Sequence, residues 1–182
     1  ADVIWVPRAG EDAQEIARSM ASVIGSRKGW KDKETTVAWP GRSSDRINWN
    51  GVDVILSAAH NSESLSHDLG RLGQERHVLV VGMTQKQDLS ETTEPLLRSV
   101  CRIQTVVTEV HGGRTPSVPA GELSKILSGH SEVAPMIIEE PIEAVDGASR
   151  LAIEEGCVGC VTGSVYLVGR VVGELASREG GD

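Results

Sequence analysis

Four short stretches of this chain pair reactive side chains with small residues that leave backbone groups accessible. They are Ser57-Ala58-Ala59-His60-Asn61, Gly82 to Asp88, His111-Gly112-Gly113-Arg114 and Gly163-Ser164-Val165-Tyr166. The last is the most informative, because its surroundings can be read in full. Cys157 to Thr162 is a short apolar run of β-favouring residues, as expected of a strand buried on both faces. Gly163 allows a sharp turn and close backbone approach, and Ser164 is a good N-cap. Val165, Val168, Val171, Val172 and Leu175 then recur at helical spacing. The unit is a strand, a turn and a helix, and the free N–H groups at the helix start suit an anion. The plainer alternative is a βα corner that only packs its own core.

The other reactive side chains also carry two readings. His60 at a strand end is either a hydrogen-bonded structural histidine or a ligand contact. Asp88 is either the N-cap of the next helix or part of a cleft. Arg114, in a Gly-Gly-Arg-Thr-Pro loop, is either solvated or a carboxylate partner. Cys157 and Cys160 have C-x-x-C spacing, which raises redox chemistry or zinc. Both lie inside the apolar run, and no second Cys/His pair has matching spacing, so core packing is the favoured reading. His67, His77, His111 and His130 show no metal-site spacing either.

Composition narrows the partners. A net charge of −8 offers no basic stripe to displace the counterions of a nucleic acid. A nucleotide, needing only a local patch, remains compatible. Three cysteines give no paired disulfide framework and fit a reducing, cytoplasmic compartment. There is no signal peptide and no apolar run of ~18 residues, so no membrane role is expected. With 182 residues, 39% of them apolar, the chain is long enough for one substantial core. Four Trp, one Tyr and no Phe leave that core to Val, Ile, Leu and Ala.

Elements that position the four stretches follow from the hydrophobic pattern. Asp2–Val6 reads as a strand, and a helix carrying Ile16, Met20, Val23 and Ile24 ends near Gly25. Ser26 to Glu34 is a polar, basic linker, Thr35–Ala38 a short strand and Trp39-Pro40-Gly41-Arg42 a rigid turn. Strands are then expected at Val52–Ala58, His77–Val81, Ile103–Val110, Met136–Ile138 and Cys157–Thr162. Helices are expected at Ser62–Leu72, Ser90–Val100, from Pro119, at Ile142–Glu155 and after Ser164, and Ser177 to Asp182 should fray. This alternation implies an α/β, Rossmann-like fold: a mostly parallel sheet with helices on both faces. Ligands of such sheets gather at the carboxyl ends of the strands, where all four stretches fall.

With those stretches in place, the chain resembles the C-terminal domain of folylpolyglutamate synthase/dihydrofolate synthase, a branch of the Mur ligase superfamily. Four pieces carry the resemblance in the family's order. Trp39-Pro40-Gly41-Arg42 resembles the turn leading into that domain. Leu56-Ser57-Ala58-Ala59-His60-Asn61 resembles Leu-Asp-Gly-Ala-His-Asn, and Gly82-Met83 with Asp88 resembles a Gly-Met loop ending in Lys-Asp. Gly163-Ser164-Val165-Tyr166-Leu167-Val168-Gly169 resembles Gly-Ser-Leu-Tyr-Leu-Val-Gly and is the most specific. Residues 35–182 would form this domain, and residues 1–34 the tail of a preceding one or a segment private to this protein.

The resemblance implies an ADP-forming amide ligase, in which ATP and magnesium phosphorylate a folate-type carboxylate and the amino group of glutamate displaces the phosphate. It implies that His60 is a catalytic, nucleotide-contacting residue and that Asn61 and Asp88 border the cofactor. Ser164, Tyr166 and Arg114 would hold substrate. Two positions depart from the pattern: Ser57 stands where the family has aspartate, and Gln87 where it has lysine, with Lys86 one residue displaced. No G-x-x-x-x-G-K-[ST] loop occurs in the chain, so an upstream ligase domain or a partner chain would have to grip the phosphates. The competing expectation is a non-catalytic interaction domain that keeps the fold. An unrelated dinucleotide fold ranks last, since G-x-G-x-x-G is missing after the first strand.

Overall fold

The computed structural model describes residues 45–129 and 133–179, all within the unit Trp39–Asp182. The elements expected before residue 45, the boundary at 34/35, the Trp39-Pro40-Gly41-Arg42 turn and His130 lie outside the described residues. Six strands form one sheet: β1 (Asp45–Trp49), β2 (Val52–Leu56), β3 (His77–Val81), β4 (Arg102–Val107), β5 (Met136–Ile137) and β6 (Val158–Thr162). Their spatial order is β1-β2-β6-β3-β4-β5. Only β1 runs antiparallel, and β6 pairs in parallel with both β2 and β3.

Five helices connect and flank the described strands: α1 (Ser62–Leu72), α2 (Leu89–Leu97), α3 (Ala120–Ser128), α4 (Pro141–Glu155) and α5 (Val165–Glu179). Strand side chains alternate between the two sheet faces. Val54, Leu56, Val78, Val80, Val106 and Val161 face one core with Ile142, Val145, Ala148 and Ala152 of α4 and Leu167, Val168 and Val171 of α5. Ile55, Leu79, Val81, Val107 and Cys160 face the other, with Leu65 and Leu72 of α1, Leu96 of α2, and Leu123 and Leu127 of α3. Both faces are therefore covered, which is why β3 has all five residues buried and reads as an apolar run from Val78 to Val81.

The elements expected from the pattern are present, with shifted ends. The strand expected to Ala58 stops at Leu56, and the one expected to Val110 stops at Val107. The helix expected to Val100 ends at Leu97, where Arg102 donates to the Leu96 carbonyl. α5 continues through the expected fraying point at Ser177 to Glu179.

One element was not anticipated: β1, which forms a hairpin with β2. Its signal was the dipeptide Asn50-Gly51, whose residues both have positive φ, 53° and 89°, as a two-residue hairpin turn requires. The hairpin is clamped to the helices. Trp49 is 1% exposed, and its Nε1 donates to Asp146 Oδ1 at 2.7 Å. Asn50 Nδ2 donates to the same oxygen at 2.9 Å. The Arg178 guanidinium lies 4.3 Å from the Trp49 ring centroid and 3.6 Å from Asp146 Oδ2. Asp146→Ala would strand a buried indole N–H, and a loss of about 1–3 kcal/mol in urea unfolding is expected.

His77 supplies a second prediction. It is 1% exposed; Nδ1 donates to the Glu75 carbonyl at 2.8 Å and Nε2 accepts from Ser99 Oγ at 2.9 Å. Burial lowers its pKa below the ordinary 6.5, Arg102 pushes the same way, and the bond to Glu75 opposes both. Between the folded and unfolded pKa values the unfolded chain binds more protons, so stability falls as pH drops below 6.5. Chemical denaturation at about pH 7.5 and about pH 5 should show this fall, and His77→Gln should lessen it.

Candidate functional site

The carboxyl ends of β2, β6 and β3 lie side by side, but the chain leaves them in different directions. α1 after β2 and α2 after β3 pack on one face of the sheet, while α5 after β6 packs on the other. Such a divergence is a topological switch point, where adjoining loops part and leave a crevice. The loops that carry His60, Asp88 and Ser164 follow these three strand ends.

The loop after β2 is held at both ends. Ser57 N donates to the Val161 carbonyl at 2.9 Å, and Gly163 N donates to the Ala59 carbonyl at 3.0 Å. The second bond ties the residue before His60 to the residue before Ser164. His60 and Ser164 thus emerge from adjoining loops at one edge of the sheet. The His60 side chain is exposed, with Nδ1 3.0 Å from the Ala58 carbonyl, which leaves Nε2 as the outward nitrogen. Asn61 caps α1: its Oδ1 accepts from Ser64 N at 2.8 Å, and Ser64 Oγ accepts in return from Asn61 N at 3.3 Å. Asn61 thus serves as the N-cap of α1.

Ser164 is 3% exposed, and its Oγ accepts from Tyr166 N at 3.2 Å at the start of α5. It acts as the N-cap that the sequence suggested. The two residues after it turn outward, Val165 at 53% and Tyr166 at 36% exposure. Gly163 permits this geometry. Its φ is +101°, and a Cβ there would lie 2.6 Å from the Gly82 carbonyl oxygen. Only glycine lets the β6 end approach the β3 end so closely.

The remaining loops reach the site from the β3 and β4 side. Thr84 bridges to Ser117, and Val118 N donates to the Met83 carbonyl at 2.8 Å. This pairing brings the His111 to Arg114 loop over the start of α5. A Cβ on Gly113 would lie 3.4 Å from the Tyr166 ring and 3.3 Å from Thr84 Cγ2. Arg114 is exposed on this loop. His111 Nε2 is 3.6 Å and Arg170 Nη2 3.8 Å from the Glu140 carboxylate, which links the loop to α5. Sequence reasoning missed Glu140 and Arg170, since neither belongs to a motif.

Asp88 lies on the carboxyl side of β3, but its Oδ1 accepts from Glu91 N at 2.8 Å as the N-cap of α2. The contacts join His60, Ser164, Tyr166 and the Arg114 loop, and they tie Asp88 to its own helix. The C-x-x-C pair is divided by the sheet: Cys157 packs with the core of α4 and α5, Cys160 with that of α1 to α3. Burial pushes the Cys160 thiol up to about 12 and raises Cys157 as well, so both remain protonated near neutral pH. Core packing is the reading that holds.

No family model matches the chain, and no curated relative does. Solved structures do. The chain superposes on Mycobacterium tuberculosis folylpolyglutamate synthase complexed with ADP and AMPPCP with a TM-score of 0.73 at 21% identity. That match covers 98% of this chain and 42% of the synthase. The fold is that of folylpolyglutamate synthases. The Thermotoga maritima enzyme gives a TM-score of 0.66 at 22% identity over 93% of this chain and 40% of its own. Yersinia pestis bifunctional folylpolyglutamate synthase/dihydrofolate synthase, complexed with AMPPNP and Mn ion, gives 0.63 at 21% identity, over 91% and 39%. The chain spans about two-fifths of the length of these synthases.

Gly163→Ala tests the junction on which the site rests. The positive φ alone costs about 1–3 kcal/mol, and the contact with Gly82 adds to it. Gly169→Ala, in the open interior of α5, should instead gain about 0.5–1 kcal/mol. Thermal melts of the two variants against the parent chain check the contrast.

Proposed function

We propose that this chain is the C-terminal domain of an ATP-dependent, ADP-forming ligase that adds glutamate to a folate-type carboxylate through an acyl phosphate. The observation that carries the reading is the junction at the switch point. There, the loops of His60 and of Gly163-Ser164-Val165-Tyr166 are hydrogen-bonded together, within a fold shared with folylpolyglutamate synthases. His60 is the catalytic, nucleotide-contacting residue, and Asn61 and Asp88 border the nucleotide. Ser164, Tyr166 and Arg114 face the incoming glutamate and the acceptor, with Arg114 suited to a carboxylate.

The residues present suit part of the cofactor. His60 offers an outward imidazole, and the turn before α5 offers main-chain N–H groups. Magnesium is a different matter. Among the described residues no group of three His, Cys, Asp or Glu side chains could hold a metal ion, so its donors belong to the nucleotide and to a second domain. ATP, when bound, supplies the phosphoryl group that activates the carboxylate. The residues of this chain orient the nucleotide and glutamate and exclude water as the domain closes. The phosphate-gripping loop, in this reading, is contributed by an upstream ligase domain or a partner chain. Among the described residues no helix is long and apolar enough to cross a membrane, and the proposed location is cytoplasmic.

A second reading, a non-catalytic interaction domain, draws support from two side chains. Ser57 is buried rather than facing the crevice, and the Asp88 carboxylate is engaged in capping. Calorimetric titration of ATP with magnesium separates the two, with the chain alone and with the upstream segment or partner supplied. The ligase reading expects ADP release with a folate-type acceptor and glutamate only in the second case, reduced about 100-fold or more by His60→Ala. No turnover in that assembly would favour the interaction domain.

A further inference from the structure

The position at which the resembled family carries aspartate is occupied here by Ser57, yet a carboxylate stands beside it. Asp68, two turns into α1, places Oδ2 2.6 Å from Ser57 Oγ. The hydroxyl of Ser57 is fully used: it donates to Asp68, and it accepts from Thr162 Oγ1 at 3.1 Å and from Ala59 N at 3.3 Å. Ser57 and Thr162 are each 1% exposed. The other Asp68 oxygen is 3.1 Å from His67 Nδ1. Around the network lies a small crevice under α1, lined by Ile55, Leu69, Leu72 and Cys160 besides the polar groups.

These bonds bridge the two loops that carry the candidate site. Ser57 and Ala59 open the loop of His60, while Thr162 is the last residue of β6, directly before Gly163 and Ser164. We propose that Asp68 is a positioning residue: acting through Ser57, its carboxylate fixes the His60 loop against the Gly163-Ser164 turn. The functional weight of this assignment rests on the proposed role of His60 and Ser164, but the linkage itself does not. A charge-assisted bond of 2.6 Å in a part-buried setting is among the stronger hydrogen bonds. Its geometry also explains Ser57, because an aspartate at 57 would bring two carboxylates together and drive one of them to hold a proton.

Amide hydrogen exchange on the full chain, without ligand, tests the assignment. The reporters are Ala59 N–H, bound to Ser57 Oγ, and Gly163 N–H, bound to the Ala59 carbonyl; amides of β4 serve as the folding control. Asp68→Leu should speed exchange at both reporters about tenfold or more, the scale of one lost charge-assisted bond, and leave β4 unchanged. Asp68→Asn, which keeps an acceptor for the Ser57 hydroxyl, should restore most of the protection. Unchanged reporters in Asp68→Leu, or no rescue by Asn, would each overturn the proposal. Should Asp68→Leu not fold, Asp68→Ala against Asp68→Asn gives the same contrast, and equal exchange in that pair overturns it. No turnover in the assembly with the upstream segment or partner, with protected reporters, would sink the ligase reading and leave this one standing; released junctions cannot be mistaken for that result.

Discussion

The architecture depends on the insertion of β6 between β2 and β3. Without its two parallel ladders, the sheet would fall into a β1-β2 hairpin and a β3-β4-β5 piece, each with an open edge. β6 is also the last of the described strands in chain order, so the sheet closes only once the other described strands are made. Such a non-local closure carries a loop-entropy cost. It is offset by burial, for Cys160, Val161 and Thr162 are each nearly inaccessible to water. Gly159 contributes by its size: a Cβ there would meet Val54 Cγ2 at 3.0 Å.

The same insertion generates the candidate site. Because β6 sends its helix to the face opposite α1 and α2, the loops on either side of it part, leaving His60 and Tyr166 exposed near the buried Ser164. Polar groups within this region are used economically. Ser164 and Asn61 cap helices, and Ser57 serves three partners, so the buried hydroxyls at the junction are satisfied and the loops gain definite positions. His60, just before the Asn61 cap, and Tyr166, two residues past Ser164, remain exposed.

Legibility in the sequence followed the strength of local physics. The alternation of strands and helices was readable because apolar periodicity is dictated by burial on both faces. Ser164 and Asp88 were readable as caps because short polar side chains at helix starts meet free N–H groups. The β1 hairpin was also written locally, in Asn50-Gly51, but the run Asp45–Trp49 carries too few apolar residues to stand out. Strand and helix ends were less readable, since Leu56, Val107 and Leu97 end their elements where neighbours cease to pair or where Arg102 meets a carbonyl.

By itself, then, the sequence determined the α/β class, the covered sheet and the four loops at the strand ends, because each is encoded by residues close in the chain. Only the tertiary structure decided which loops adjoin. Strand order cannot be read from periodicity, and it is the order β2-β6-β3 that brings Ala59 to Gly163. Nor does any local signal place Asp68 against Ser57, eleven residues away, or divide Cys157 from Cys160 between two cores. Those relations follow from how the sheet closes, a property of the whole chain rather than of any segment.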